Sequence, residues 1–229
     1  MMNLSVKDAA RLLSVSEKTI YRWINQEIIP SYRIHGFYRF NRAELIEWAT
    51  SRRIGVNPVS FGEPVDERPL PTLSEALAAG GVYYRIEGAS KDAVLVDAVD
   101  HLRLPDEVDR KVLRQALLAR ERLASTSIGN GIAIPHPRNP ELLHISRPVV
   151  ALCFLDQAIE FGSFDGEPVQ VLFPLIAPNL RTHLHLLALL GFVLRDNSLR
   201  KLLHAQANRE KIFSAVKRIE ARLHSRKSV

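Results

Sequence analysis

Apolar positions near the N-terminus recur at helical spacing. Ser5-Val-Lys-Asp8 is a capping-box-like start, with Asp in place of the usual Glu or Gln. Ala9, Ala10, Leu12 and Leu13 then give an apolar face to a helix of about nine residues. Ser14-Val15-Ser16 breaks it, and Ser16 caps a second helix from Glu17 to about Asn25, with Ile20, Trp23 and Ile24 toward a core. Ser31 to Phe40 alternates around Gly36, which predicts a hairpin. Asn41 caps a third helix through Trp48, apolar at Leu45, Ile46 and Trp48. Two short helices, a tight turn and a hairpin form a helix-turn-helix pattern with a wing.

The periodicity lapses between Ile54 and Pro71, where Pro58, Pro64, Pro69 and Pro71 mark a linker. It resumes at Thr72-Leu-Ser-Glu75, a capping box that opens a helix to about Ala79, ended by Gly80-Gly81. Val82–Ile86 is extended, Ser90 caps a helix through Val99, and an amphipathic helix runs from Asp106 to about Leu123. Pro148–Leu155 and Val169–Ala177 are continuous apolar runs, the mark of strands buried on both faces. Asn179 caps a helix from about Arg181 to Arg195, and Asn208 caps a last one ending near Leu223. The expected architecture is α/β: a central mixed sheet flanked by helices, preceded by a small winged helix-turn-helix. The divisions are residues 1–55, a linker at 56–70, and 71–226.

Composition narrows the function. No run of about 18 apolar residues is present, and the N-terminus lacks an apolar signal core, so a cytoplasmic protein with no membrane span is expected. The single Cys153 sits in an apolar run, which excludes an internal disulfide and a multi-cysteine metal site. Of the net charge of +6, residues 1–55 carry +4, from nine Lys/Arg against five Asp/Glu. A basic first quarter favours a polyanionic partner there. On the second helix, Lys18, Thr19, Tyr21 and Arg22 face outward near the end that enters a major groove. Arg33, His35 and Arg39 of the hairpin could reach phosphates as a wing does.

The second chemical feature is Ser127-Ile-Gly-Asn-Gly-Ile-Ala-Ile-Pro-His-Pro-Arg138. Gly129 and Gly131 permit positive φ. Pro135 and Pro137 fix φ on both sides of His136. Ile132-Ala133-Ile134 reads as a very short buried strand that delivers His136 to a rigid surface turn, where a neutral imidazole can act as a nucleophile. His183 and His185 stand two apart on a helix and point roughly 200° away from each other, which argues against a two-His metal grip. No metal and no cofactor are expected.

Residues 3–52 resemble the excisionase/MerR-type winged helix-turn-helix domains, through Ser-Val-Lys-Asp-Ala-Ala-Arg-Leu-Leu-Ser-Val-Ser, Thr-Ile-Tyr-Arg-Trp and Tyr-Arg-Phe-Asn-Arg-Ala-Glu-Leu-Ile-Glu-Trp. That resemblance implies double-stranded DNA as a partner, through Lys18, Thr19, Tyr21 and Arg22, with Arg39 on the wing. Such proteins usually act as dimers, and a homodimer is expected because one small module rarely supplies enough affinity. Residues 71–224 resemble the phosphotransferase-system EIIA domains of the mannitol/fructose and nitrogen-regulatory type, through Gly129, Gly131, Ala133, Pro135 and His136.

The resemblance implies that His136 accepts a phosphoryl group from a His-phosphorylated, HPr-like carrier protein. It also implies that His183, in a Thr-His-Leu context, sits beside it as stabiliser. Thr126, Gly129, Gly131 and Arg138 are the expected supports of the phosphoryl site. Where the nitrogen-type proteins usually carry Gly after the His, this chain has Pro137, which removes one amide donor. The expected function is a transcription regulator that accepts phosphate as a carrier does, without acting as a turnover enzyme. The competing readings are a phosphocarrier passing phosphate to a transporter, or a partner-binding module without phosphotransfer.

Overall fold

The computed structural model describes residues 2–34, 36–52, 54–56, 69–106 and 108–225. His35 and most of the linker lie outside them. The N-terminal unit opens with β1 (Met2–Leu4), followed by α1 (Val6–Leu12) and α2 (Glu17–Asn25). The capping box is complete: the Asp8 amide donates to the Ser5 hydroxyl, and the Ser5 amide donates to the Asp8 carboxylate. Ser16 caps α2 as expected. Then β2 (Tyr32–Ile34) and β3 (Phe37–Asn41) pair antiparallel around Gly36 at φ +84°, and Asn41 caps α3 (Arg42–Ser51). The strand β1 adds to β3 and was not anticipated, because three residues are too few to show an alternation.

The larger unit begins with α4 (Leu73–Gly80), β4 (Val82–Ile86), α5 (Lys91–His101) and α6 (Arg110–Leu123). The expected start of α6 at Asp106 is too early. Asp109 caps the helix by accepting the amides of Lys111 and Val112. Next come β5 (Ser127–Gly129), β6 (Ile132–Ala133), β7 (Val149–Val150), β8 (Leu152–Ile159), β9 (Val169–Leu172) and β10 (Leu175–Ile176). Each long apolar run thus divides in two. Pro174 has no amide for a ladder, and its carbonyl instead accepts the Ala151 amide at 3.0 Å. The fragments β7 and β10 pair separately from the main sheet. The chain ends in α7 (Leu180–Val193), α8 (Asn197–His204) and α9 (Arg209–Ser225), of which α8, capped by Asp196, was not foreseen.

The main sheet has the order β4-β8-β9-β6-β5. Strand pairs β4/β8 and β6/β9 are parallel, and β8/β9 and β5/β6 antiparallel. It is a mixed sheet flanked by helices, as expected. One face is covered by α5 and α6, through Val94, Val99 and Leu113 against Cys153 and Leu172. The other is covered by the layer of α4, α7, α8 and α9, through Leu186, Leu190 and Ile212 against Leu152, Phe154 and Val171.

The core of the N-terminal unit, with Ile20, Phe40, Leu45 and Ile46, runs without interruption into this second cluster. Helix α3 lies against α7 and β5. A Cβ on Gly191 would stand 3.4 Å from the Thr50 hydroxyl, an ordinary contact distance, so Thr50 of α3 faces Gly191 of α7 directly. Among the described residues no helix is long and apolar enough to cross a membrane.

Candidate functional site

The turn between β5 and β6 places Gly129, Asn130 and Gly131 in succession at φ +76°, +53° and +67°. A Cβ at Gly131 would lie 3.2 Å from the Pro168 carbonyl oxygen, so backbone conformation and space both call for glycine there. Strand β6 is fully buried between β5 and β9. Ladder-like bonds continue past it: Ile134 N donates to Thr126 O at 3.0 Å, and Leu175 N to Pro135 O at 2.9 Å. The backbone is therefore held up to the residue before His136. Thr126 spends both donors at the base of the loop. Its hydroxyl reaches Glu121 at 2.6 Å and its amide reaches both Glu121 oxygens, at 3.1 and 3.2 Å.

His136 Nδ1 is 2.7 Å from the Ile134 carbonyl oxygen. A carbonyl only accepts, so Nδ1 carries a proton and Nε2 is the nitrogen turned toward the rest of the site. The ring is not on the surface. It is only 4% exposed, which corrects the expected solvent-bare turn. The cover comes from the N-terminal unit: Glu47 Oε1 of α3 stands 3.3 Å from Nε2. Its second oxygen, Oε2, accepts from Arg120 Nη2 at 3.0 Å, and Arg120 also donates to Ala124 O at 2.9 Å. Burial opposes the charge of Glu47. The hydrogen bond and charge of His136, with the charge of Arg120, outweigh it and hold the carboxyl down at about 2.

His183 enters from the first turn of α7, where its amide donates to Asn179 O at 3.0 Å. Its ring centroid is 5.1 Å from that of His136, at an interplanar angle of 58°. The ring is 2% exposed, and burial together with the charge of His136 pushes its pKa down to about 3, so it is neutral. A ligand atom from each of Glu47, His136 and His183 lies within 4.8 Å of the others. His185 points elsewhere, with Nε2 2.9 Å from the Pro71 carbonyl oxygen where the linker ends. Arg138 is exposed, and its charge acts on the Tyr32 hydroxyl of the wing.

The candidate DNA-facing groups are not part of this cluster. Lys18, Tyr21 and Arg22 are exposed on α2, Tyr21 to 47%. Thr19 is half-buried and shares a hydrogen bond of 2.9 Å with the Ser16 hydroxyl. On the wing, the guanidinium of Arg33 lies 6.0 Å from the Tyr38 ring, and that of Arg39 lies 5.8 Å from the Phe37 ring. The sequence reading missed Glu47. It sits on the closing helix of the helix-turn-helix as an ordinary acidic position, and no local pattern marks it.

A model of the family described as "Phosphoenolpyruvate-dependent sugar phosphotransferase system, EIIA 2" matches residues 76–219, and one described as "Helix-turn-helix domain" matches residues 4–53. The nitrogen regulatory protein of Pseudomonas aeruginosa is 35% identical over 148 residues, covering 63% of this chain and 94% of its own length. That of Escherichia coli K12 is 36% identical over 121 residues, covering 52% of this chain and 71% of its own length. The crystal structure of nitrogen regulatory protein IIA-Ntr from Neisseria meningitidis superimposes with a TM-score of 0.55 at 27% identity, covering 63% of this chain and 98% of that one.

Proposed function

From the premise that this chain belongs to the EIIA 2 family of the phosphoenolpyruvate-dependent sugar phosphotransferase system and carries a helix-turn-helix domain ahead of it, we propose that it is a DNA-binding transcription regulator controlled by phosphorylation of His136. The phosphoryl group comes from a His-phosphorylated carrier protein. Once α3 has lifted and Nε2 has released to solvent the proton it shares with Glu47, the Nε2 lone pair attacks phosphorus, the P–N bond to the carrier imidazole breaks, and that electron pair returns to the carrier nitrogen. The Ile134 carbonyl keeps the proton on Nδ1, which presents Nε2 as the nucleophile. His183 stands beside the ring as donor to the incoming oxygens, and the α7 N-terminus adds its dipole.

The observation that carries this reading is Glu47 against Nε2. The acceptor nitrogen of one domain is covered by a carboxylate of the other. A carrier cannot reach a ring that is 4% exposed, so α3 has to lift before transfer. Once attached, a phosphoryl group of nearly two negative charges meets the Glu47 carboxylate at the same place, and α3 cannot return. Docking and phosphorylation therefore exclude each other. The groups on α2 are exposed in the docked state, so the switch sets the position of the DNA-reading head and does not mask it.

The test is incubation with a radiolabelled phospho-carrier. Label on the wild type and none on His136→Ala is expected. No label on the wild type, or equal label on His136→Ala, overturns the phosphorylation reading. DNA affinity measured with and without phosphorylation tests the regulatory half, and sedimentation on DNA tests the expected homodimer.

A further inference from the structure

The same three side chains suggest a second ligand. Glu47, His136 and His183 bring one carboxylate and two imidazoles to a common point, with ligand atoms within 4.8 Å of one another. No two of them belong to one helix, so no helical spacing in the sequence announces them. Two imidazoles and a carboxylate are the donor set that suits Zn2+, with a fourth position left for water.

The surroundings fit a metal as well. The bond from His136 Nδ1 to the Ile134 carbonyl orients Nε2 as the ligand atom, the arrangement usual behind a metal-bound imidazole. Arg120 holds the second oxygen of Glu47, which leaves Oε1 facing the rings. His183 is 2% exposed, and among the described residues its Nδ1 has no hydrogen-bond partner. A buried polar atom without a partner is costly unless something else completes it.

We propose that Glu47, His136 and His183 form a Zn2+ site shared between the helix-turn-helix and EIIA domains, a clamp that locks α3 over the acceptor ring. The metal binds only the docked arrangement, because one ligand comes from each side of the seam and a third from α7. Bound zinc uses the Nε2 lone pair, so the clamped chain cannot take a phosphoryl group. The binding itself does not depend on phosphotransfer and stands or falls separately.

The test is titration of the full-length, metal-stripped chain with Zn2+ against a chromophoric chelator, and with Co2+ followed by visible absorption. One Zn2+ per chain at micromolar affinity or tighter is expected, with a Co2+ spectrum of low coordination number and a higher melting temperature in Zn2+. Glu47→Ala is expected to weaken binding at least about a hundredfold and to abolish the thermal gain. Glu47→His, which keeps a ligand, is expected to restore much of both. Melting curves in chelator show whether each variant is folded. Absence of binding by the wild type overturns the proposal. So does binding unchanged in both Glu47→Ala and His183→Ala, which would place the ion on other histidines. Zinc binding with no effect on His136 labelling leaves the site but removes the clamp.

Discussion

Helix α2, the second helix of the helix-turn-helix, and the loop that carries His136 are both rich in chemical side chains, yet the fold treats them in opposite ways. On α2, Lys18, Tyr21 and Arg22 project into solvent, as a surface awaiting a large partner does. His136 is sealed at 4% exposure by a neighbour more than eighty positions earlier in the chain. A DNA-reading face works by being open, whereas an acceptor under a removable cover can report whether the cover is on. The contrast can be broken or sharpened by experiment, and the expected effects fall in the following order.

Removing the acceptor has the largest effect. His136→Ala loses all labelling from a phospho-carrier and no longer changes DNA affinity when the carrier is added. Removing the cover comes next. Glu47→Ala raises the initial labelling rate by about tenfold or more, because the competent, uncovered population rises. It also leaves Arg120 without its carboxylate, at a cost of about 1–3 kcal/mol in chemical denaturation, below the range for a fully buried pair because Glu47 is 28% exposed. Failure of Glu47→Ala to accelerate labelling would mean that the contact does not limit access.

On the open face, Arg22→Ala weakens operator binding by about 1–3 kcal/mol if it reads a base edge. Arg39→Ala on the wing weakens all sequences alike and lowers the salt slope by about one. Gel shifts at several salt concentrations separate the two. An Arg22 variant with unaltered affinity would remove α2 from the reading face.

Acid tests the covered face in chelator. His183 ordinarily titrates near 6.5, and in the fold it is pushed to about 3. Between these values the unfolded chain binds a proton that the folded chain does not, so stability falls as pH drops from 6.5 toward 3. Glu47 behaves as a depressed carboxyl, falling from 4.5 to about 2. Its contribution is whole above 4.5 and is lost as pH falls toward 2. Both slopes have the same sign. Urea midpoints measured from pH 7 to 4 should decline, and His183→Asn should decline less. The smallest effect is local: Gly131→Ala costs about 1–2 kcal/mol, from a side chain at φ +67° close to Pro168 O.

Much of this was legible in the residues. Ser5 with Asp8, Ser16, Asn41, Thr72 with Glu75 and Asn179 each mark a helix start that the structure keeps, because a cap is a contact within three residues. The short strand before His136 and the pairing of that ring with His183 also match the expectation. Features set by distant contacts were not legible. Pro174 split an apolar run by serving a carbonyl to Ala151. Above all, nothing near Glu47 says that α3 will lie on α7. That depends on apolar residues of the two units that join into one core, each of which looked complete within its own unit.

The most direct measurement is backbone hydrogen exchange across α3, residues 42–51, and the facing part of α7, before and after phosphorylation by the carrier. Faster exchange in both segments on phosphorylation, absent in His136→Ala treated identically, is the predicted result. A phosphorylated chain in which α3 stays as protected as before would contradict the claim that the DNA-reading head and the phosphoryl group compete for one nitrogen.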